Sequence, residues 1–313
     1  MSVNRRRFLF LAGGSLAALK LGAPAVASTR APEIAITMDD PKPDSLGGMT
    51  GTEINRRILD ALQAAGVKAA LFVTGMRVDN PAGETLVGEW VERGHVIANH
   101  SYSHRNYNSS DITYDFFSAD FLKNEPLIRR RRHFVRLFRY PALKEGDTAE
   151  KRDRFRALLR EHGYHVGHVT VDASDWYIDQ RLRARLAKDS HADTESYRDY
   201  YVAHIRDRAR YYRQLAQDAL GHDIRHTLLI HHNFLNALYL GHMMRALAQD
   251  GWRWVDAGHA FRDPVFRREP QIVPAGESLV WALAKESGRF DRSLRYPGED
   301  DVYEKPKMDA LGL

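Results

Sequence analysis

The chain has no cysteine among its 313 residues. That excludes disulfides and thiolate metal sites, although it does not fix the compartment. No apolar run outside the N-terminus is long enough to cross a bilayer, so no integral span is expected in the mature chain. Net charge is also scarce once the N-terminus is set aside. Residues 1–27 hold four basic side chains (Arg5, Arg6, Arg7 and Lys20) and no acidic one; taking those four from the 46 leaves 42 basic against 41 acidic residues. A nearly neutral chain gives no electrostatic case for nucleic acid as a partner.

What the N-terminus does hold is a charged start, an apolar segment from Phe8 to Leu21, and a small-x-small site at Ala25-Val26-Ala27. This pattern predicts an export signal over residues 1–27. The paired arginines followed by Phe8-Leu9 resemble the twin-arginine type, with the twin-arginine machinery as partner and a periplasmic or secreted destination.

Beyond it the sequence alternates. Short apolar runs at 33–38, 67–74, 96–98, 134–140, 164–171, 227–230 and 252–255 read as strands. Amphipathic stretches at 53–65 (capped by Thr52), 83–93, 113–132, 148–162 and 234–249 read as helices. Residues 178–224 read as a long helical insertion rich in Arg and Tyr, and 263–313 as a C-terminal extension packed on the domain, with one helix near 277–286. Repeated strand–helix units imply an α/β fold with a parallel sheet, open or closed into a barrel, whose chemistry gathers at the C-terminal strand ends.

The polar residues respect that position. Asp39 and Asp40 end the first strand, His100 and His104 follow the third, and Arg139, Asp172, Asp175 and His231 sit at later strand ends. Two imidazoles four residues apart can close on one cation, but such a site needs a further ligand. The arginine run 129–132 reads as a solvated helix end, and the tyrosines 197, 200, 201, 211 and 212 as a partly buried helix face, with a carbohydrate platform as the sharper alternative.

Five motifs in order resemble the polysaccharide deacetylase family, carbohydrate esterase family 4: Thr37-Met38-Asp39-Asp40, His100-Ser101-Tyr102-Ser103-His104, Arg139-Tyr140-Pro141, Asp172-Ala173-Ser174-Asp175-Trp176, and Leu228-Leu229-Ile230-His231. The resemblance implies a deformed (β/α) barrel over residues 28–262 and metal-dependent removal of N-acetyl groups from amino sugars of a glycan. It makes Asp40, His100 and His104 the ligands of a divalent cation, zinc first, with cobalt or nickel as alternatives. Asp39 becomes the general base, oriented by Arg139, which Asp175 in turn supports. Trp176, Tyr140 and Pro141 fall to the substrate. His231 becomes the general acid, ahead of its neighbour His232. The motifs depart from the family at Met38, at Ala142 (where tyrosine is usual, leaving the backbone N–H to serve the oxyanion) and at His232, where an aspartate is usual. Another metal-dependent amidase or O-acetyl esterase on the same scaffold, or an inactive glycan-binding homologue, are the alternatives.

Overall fold

The structure is a computed structural model and describes residues 31–292, 294–295 and 301–313. The export signal expected at residues 1–27, with its arginine pair, lies outside the described residues.

The chain alternates as expected through β1 (Glu33–Asp39), α1 (Gly51–Ala64), β2 (Ala70–Val73), a single turn α2 (Gly75–Val78), α3 (Pro81–Glu92), β3 (Val96–Asn99), α4 (Tyr114–Ile128) and β4 (Phe134–Phe138). It continues with β5 (Lys144–Gly146), α5 (Ala149–Glu161), β6 (His165–Val166), α6 (Asp175–Lys188), α7 (Glu195–Leu220), β7 (Arg225–His231), α8 (Phe234–Gln249), β8 (Arg253–Trp254) and α9 (Ala257–Ala260). The last elements are β9 (Ala275–Gly276), α10 (Leu279–Glu286) and α11 (Glu304–Ala310). The cap of α1 is Thr50, whose side chain accepts from the Glu53 N–H, and not Thr52. The helical insertion is two helices, α6 and α7, and α6 begins at Asp175, inside a motif.

Seven strands form one parallel sheet in the order β6-β4-β3-β2-β1-β7, with β8 also on β1. The strand expected over 164–171 is split. His165–Val166 pair with β4, while Val171 forms a parallel bridge to Leu228 of β7. One segment thus touches both ends of the strand order and curls the sheet into a deformed barrel. Residues alternate along β1: Ile34, Ile36 and Met38 join the large core shared with the helices, while Ala35 joins a smaller cluster with Ala70, Phe72 and Ala98. Thr37 and Asp39, two and four residues beyond Ala35, therefore share its face.

The tyrosines of α7 are core. Tyr197, Tyr201 and Tyr212 are buried, Tyr200 donates to Glu304, and the Tyr211 hydroxyl accepts from the Arg295 N–H. Arg129, Arg130 and Arg132 are exposed after α4, as a solvated helix end requires.

Candidate active site

Register brings the motifs together. Asp39 on β1 stands level with Phe72 on β2 and with His231 on β7, while Asn99 on β3 stands level with Phe138 on β4. The residues that follow these positions are Asp40, His100 and Arg139, so the motif side chains leave the sheet at one height.

Asp39 is buried, and its Oδ1 accepts from Arg139 Nη1 at 2.7 Å. The Arg139 guanidinium is itself fixed. Its Nη1 also donates to Thr37 Oγ1, its Nε donates to the Gly167 carbonyl at 2.9 Å, and its plane lies 3.8 Å from the Phe72 ring. A Cβ on residue 167 would meet Phe72 at 2.4 Å, so only glycine lets this strand pass so close. Burial raises the Asp39 carboxyl to about 6, with the Arg139 charge opposing the rise.

Asp40, His100 and His104 offer one carboxylate oxygen and two imidazole nitrogens, all within 4.8 Å of one another. His100 lends its Nδ1–H to the Arg139 carbonyl at 2.8 Å, which leaves Nε2 for the trio. Burial lowers both histidines to about 4, so they are neutral near pH 7, the form that ligates. Burial acts to raise Asp40, but His104, His100 and Arg77 outweigh it and hold the carboxyl below its usual range. Two neutral imidazoles and one ionised carboxylate suit zinc and similar divalent cations.

The His100–His104 turn is built by residues that the sequence reading missed. Asn99 Oδ1 accepts from the Ser101 N–H, and Asn124 Nδ2 donates to the same oxygen. The Asp120 carboxylate accepts from the Tyr102 and Ser103 N–H groups, and Ser101 Oγ accepts from the His104 N–H. Thr74 donates its hydroxyl to Asp40 Oδ1. The only signal was Asp120 and Asn124, polar, four apart, on the helix that follows the histidines.

His231 is held by Asp175, which is wholly buried. Asp175 Oδ1 accepts from His231 Nδ1 at 2.8 Å, while Oδ2 accepts from the His231 N–H, Asn233 Nδ2 and Asn236 Nδ2. This corrects the expectation that Asp175 supports Arg139: its hydrogen bonds run to His231 and the two asparagines. His232 faces away. It is buried, its Nε2 is 3.1 Å from Asn55 Oδ1, and burial lowers it to about 4.

Asp39, Asp40, His100, His104, Ala142, Leu143, Trp176, Leu229 and His231 line one cavity of about 230 Å³. The Trp176 indole N–H is buried and has no hydrogen-bond partner among the described residues. Tyr140 and Pro141, expected at the substrate, are absent from this lining. Tyr140 packs in the aromatic core against Phe117 of α4, Phe138 of β4 and Phe155 of α5, and Pro141 is buried beside it.

Backbone strain gathers here as well. Of seven non-glycine residues with positive φ among the described residues, five are Asp40, Ser101, His104, Ala142 and Leu143. Each such conformation costs on the order of 1–2 kcal/mol and persists where neighbours enforce it.

Residues 27–167 match the model of the polysaccharide deacetylase family. The peptidoglycan-N-acetylglucosamine deacetylase of Bacillus cereus is 28% identical over 144 residues, which is 46% of this chain and 46% of that protein. The chain thus spans about half the length of this curated relative. A wild-type pseudoenzyme of carbohydrate esterase family 4 from Bacillus anthracis is 18% identical, with 74% of this chain and 66% of that chain covered and a TM-score of 0.50. That likeness is one of fold. A family 4 carbohydrate esterase of Streptomyces lividans, solved with acetate, is 18% identical over 71% of this chain and 90% of that chain, with a TM-score of 0.46. Residues 27–167, which carry the Asp39-Asp40 and His100–His104 motifs, are thus the part of the chain that is similar to the polysaccharide deacetylase family.

Proposed function

We propose that this protein is a metal-dependent hydrolase that removes acetyl groups from N-acetylated amino sugars of a polysaccharide or oligosaccharide. One observation carries the reading: a cation-ligand trio, a carboxylate fixed by an arginine, and an imidazole fixed by a carboxylate converge on one cavity.

Asp40, His100 and His104 would hold the cation. When bound, it would supply Lewis acidity toward the amide carbonyl and lower the pKa of water, with zinc as first choice and cobalt or nickel as alternatives. Asp39 takes the proton from the attacking water, and Arg139 keeps its carboxylate aimed. Ala142 lines the cavity, and its backbone N–H would serve the carbonyl oxygen as it gains charge. His231, with Nδ1 committed to Asp175, presents Nε2 and gives its proton to the departing amine. Water adds to the carbonyl carbon, the C–N bond breaks, and the products are acetate and a free amino sugar. Trp176 and Leu229 wall a space suited to a methyl group.

We further propose that residues 28–262 form the catalytic domain, that 263–313 pack on it as an extension, and that the chain is exported by the twin-arginine route to act on a glycan outside the cytoplasm. Acetate release tests the activity. The purified mature chain, stripped of metal and reloaded with zinc, cobalt or nickel, is given N-acetylglucosamine oligomers, peptidoglycan, O-acetylated xylan and an aryl acetate. Release from the N-acetylated glycans supports the reading. Turnover of O-acetyl or aryl esters alone would move it to an esterase, and no release from any substrate would leave a glycan-binding protein.

A further inference from the structure

Two consecutive cavity residues, Ala142 and Leu143, hold left-handed backbone at φ 51° and 56°. Neither is glycine, so this turn does not stand by itself. What enforces it comes from more than 130 residues later. β5, which leaves the turn, pairs antiparallel with β9, with Lys144 opposite Gly276 and Gly146 opposite Ala275. The Leu143 carbonyl accepts from the Glu277 N–H at 2.9 Å. A Cβ on residue 276 would lie 1.9 Å from that carbonyl oxygen, and Gly276 has φ 123°, so the approach requires glycine twice over. Beside it, Lys144 Nζ pairs with the Glu277 carboxylate.

The same segment holds the neighbouring strand. Ser278 Oγ donates to the Thr170 carbonyl at 3.0 Å, and the Leu279 N–H donates to the Val169 carbonyl at 2.7 Å. Val169, Leu143 and Leu229 pack together as a small cluster under the cavity. The strap therefore crosses both the Ala142 turn and the strand that leads to Asp172–Asp175.

We propose that Gly276 and Glu277 are positioning residues for the reaction: they clamp the Ala142–Leu143 turn so that the Ala142 N–H faces the carbonyl oxygen in the transition state. The inference rests on the deacetylase reading of the cavity. It gives the C-terminal extension a part in turnover, through backbone contacts that no side-chain motif records. Neither residue lines the cavity, so substrate affinity is left alone, and the effect falls on an interaction that strengthens as charge develops on oxygen.

The test compares wild type, Gly276→Ala and Lys144→Met, each zinc-loaded, by kinetics on an N-acetylglucosamine oligomer and by amide hydrogen exchange. In Gly276→Ala, kcat falls about 10- to 100-fold with KM within about threefold, the scale of a misplaced oxyanion donor. Exchange over residues 142–146 quickens by about tenfold or more, while β1 and β7 keep their protection. Lys144→Met gives a smaller loss of the same kind. A folded Gly276→Ala variant with wild-type kcat overturns the clamp, as does faster exchange spread evenly over the fold, which marks a merely structural role. Should Gly276→Ala not fold, Lys144→Met decides: unchanged kcat and unchanged loop exchange overturn the proposal. Should the wild type release no acetate, the deacetylase reading fails, and loop exchange alone then supports or overturns the clamp.

Discussion

Replacing Asp175 with asparagine separates the acid from the rest of the site. The side chain has no exposed surface and accepts four hydrogen bonds, one from the His231 ring and three from N–H donors. Asparagine keeps the shape but turns a donor toward one of those N–H groups and removes the charge that faces the imidazole at 2.8 Å. A hydrogen bond to a charged group contributes about 1.5–3 kcal/mol, and the imidazolium form of His231 loses that support. General acid catalysis is worth roughly 10²–10⁴ in rate, so a loss of about two to three decades in kcat is expected, or ~3–4 kcal/mol at 1.36 kcal/mol per decade. KM should stay within about threefold, because Asp175 does not line the cavity. The assay is steady-state acetate release from an N-acetylglucosamine oligomer, repeated with an aryl acetate, at a temperature where both proteins are folded. A phenolate leaves without help from an acid, so the defect should shrink sharply on the ester. A variant within about threefold of wild type on the amide would refute the acid assignment, since that lies far below the ~10²-fold floor of acid catalysis. An equal loss on both substrates would refute it too.

Other expectations follow from the packing. Glu304 is buried against His204 at 3.3 Å, Arg208 at 3.0 Å and Tyr200 at 2.7 Å, and His204 Nε2 accepts from the Ser174 N–H beside Asp175. Glu304→Ala strands the buried Arg208 charge and should cost about 3–5 kcal/mol in urea unfolding. Burial would raise the Glu304 carboxyl, but His204 and Tyr200 outweigh it and hold it below its usual range. Its contribution is therefore complete above the unfolded value of about 4.3 and lost as pH falls below it, so the stability gap between wild type and Glu304→Gln should narrow in acid. His231→Ala should remove most amide turnover and cost about 1.5–3 kcal/mol through the hydrogen bond lost to Asp175, whereas His232→Ala should destabilise the fold and leave kcat on the folded fraction near wild type; equal kinetics in the two variants would contradict the orientation of the two rings. Tyr140→Phe removes a buried hydroxyl that has no hydrogen-bond partner among the described residues, so unfolding should shift by less than about 1 kcal/mol and kcat by less than about twofold.

Much of the site could be read from the sequence because strand ends are local features. An apolar run that stops at Asp39-Asp40 or before His100 announces itself within ten residues, and parallel register then sets those stops at one height. The alternation of strands and helices gave the α/β class and a parallel sheet for the same reason, while the curl of that sheet was implied only by the family resemblance. Long-range choices were not legible. Nothing near Asp175 indicates that its carboxylate turns to His231, 56 residues away, rather than to Arg139. Tyr140 was assigned to the substrate through the Arg139-Tyr140-Pro141 motif, yet its ring lies in the Phe117–Phe155 core. Residues 263–313 read only as a packed extension, since the clamp on Leu143 is made by backbone atoms and one glycine, and these leave no pattern in composition.

Zinc content and acetate release, measured on the same preparations of wild type, Asp40→Ala, His104→Ala and Asp39→Asn, test the central claim most directly. Wild type should bind one zinc and turn over. Asp40→Ala and His104→Ala should lose both, and Asp39→Asn should keep its zinc while kcat falls by about 10²-fold or more. Full turnover by Asp39→Asn, or zinc retained undiminished by both Asp40→Ala and His104→Ala, would contradict it.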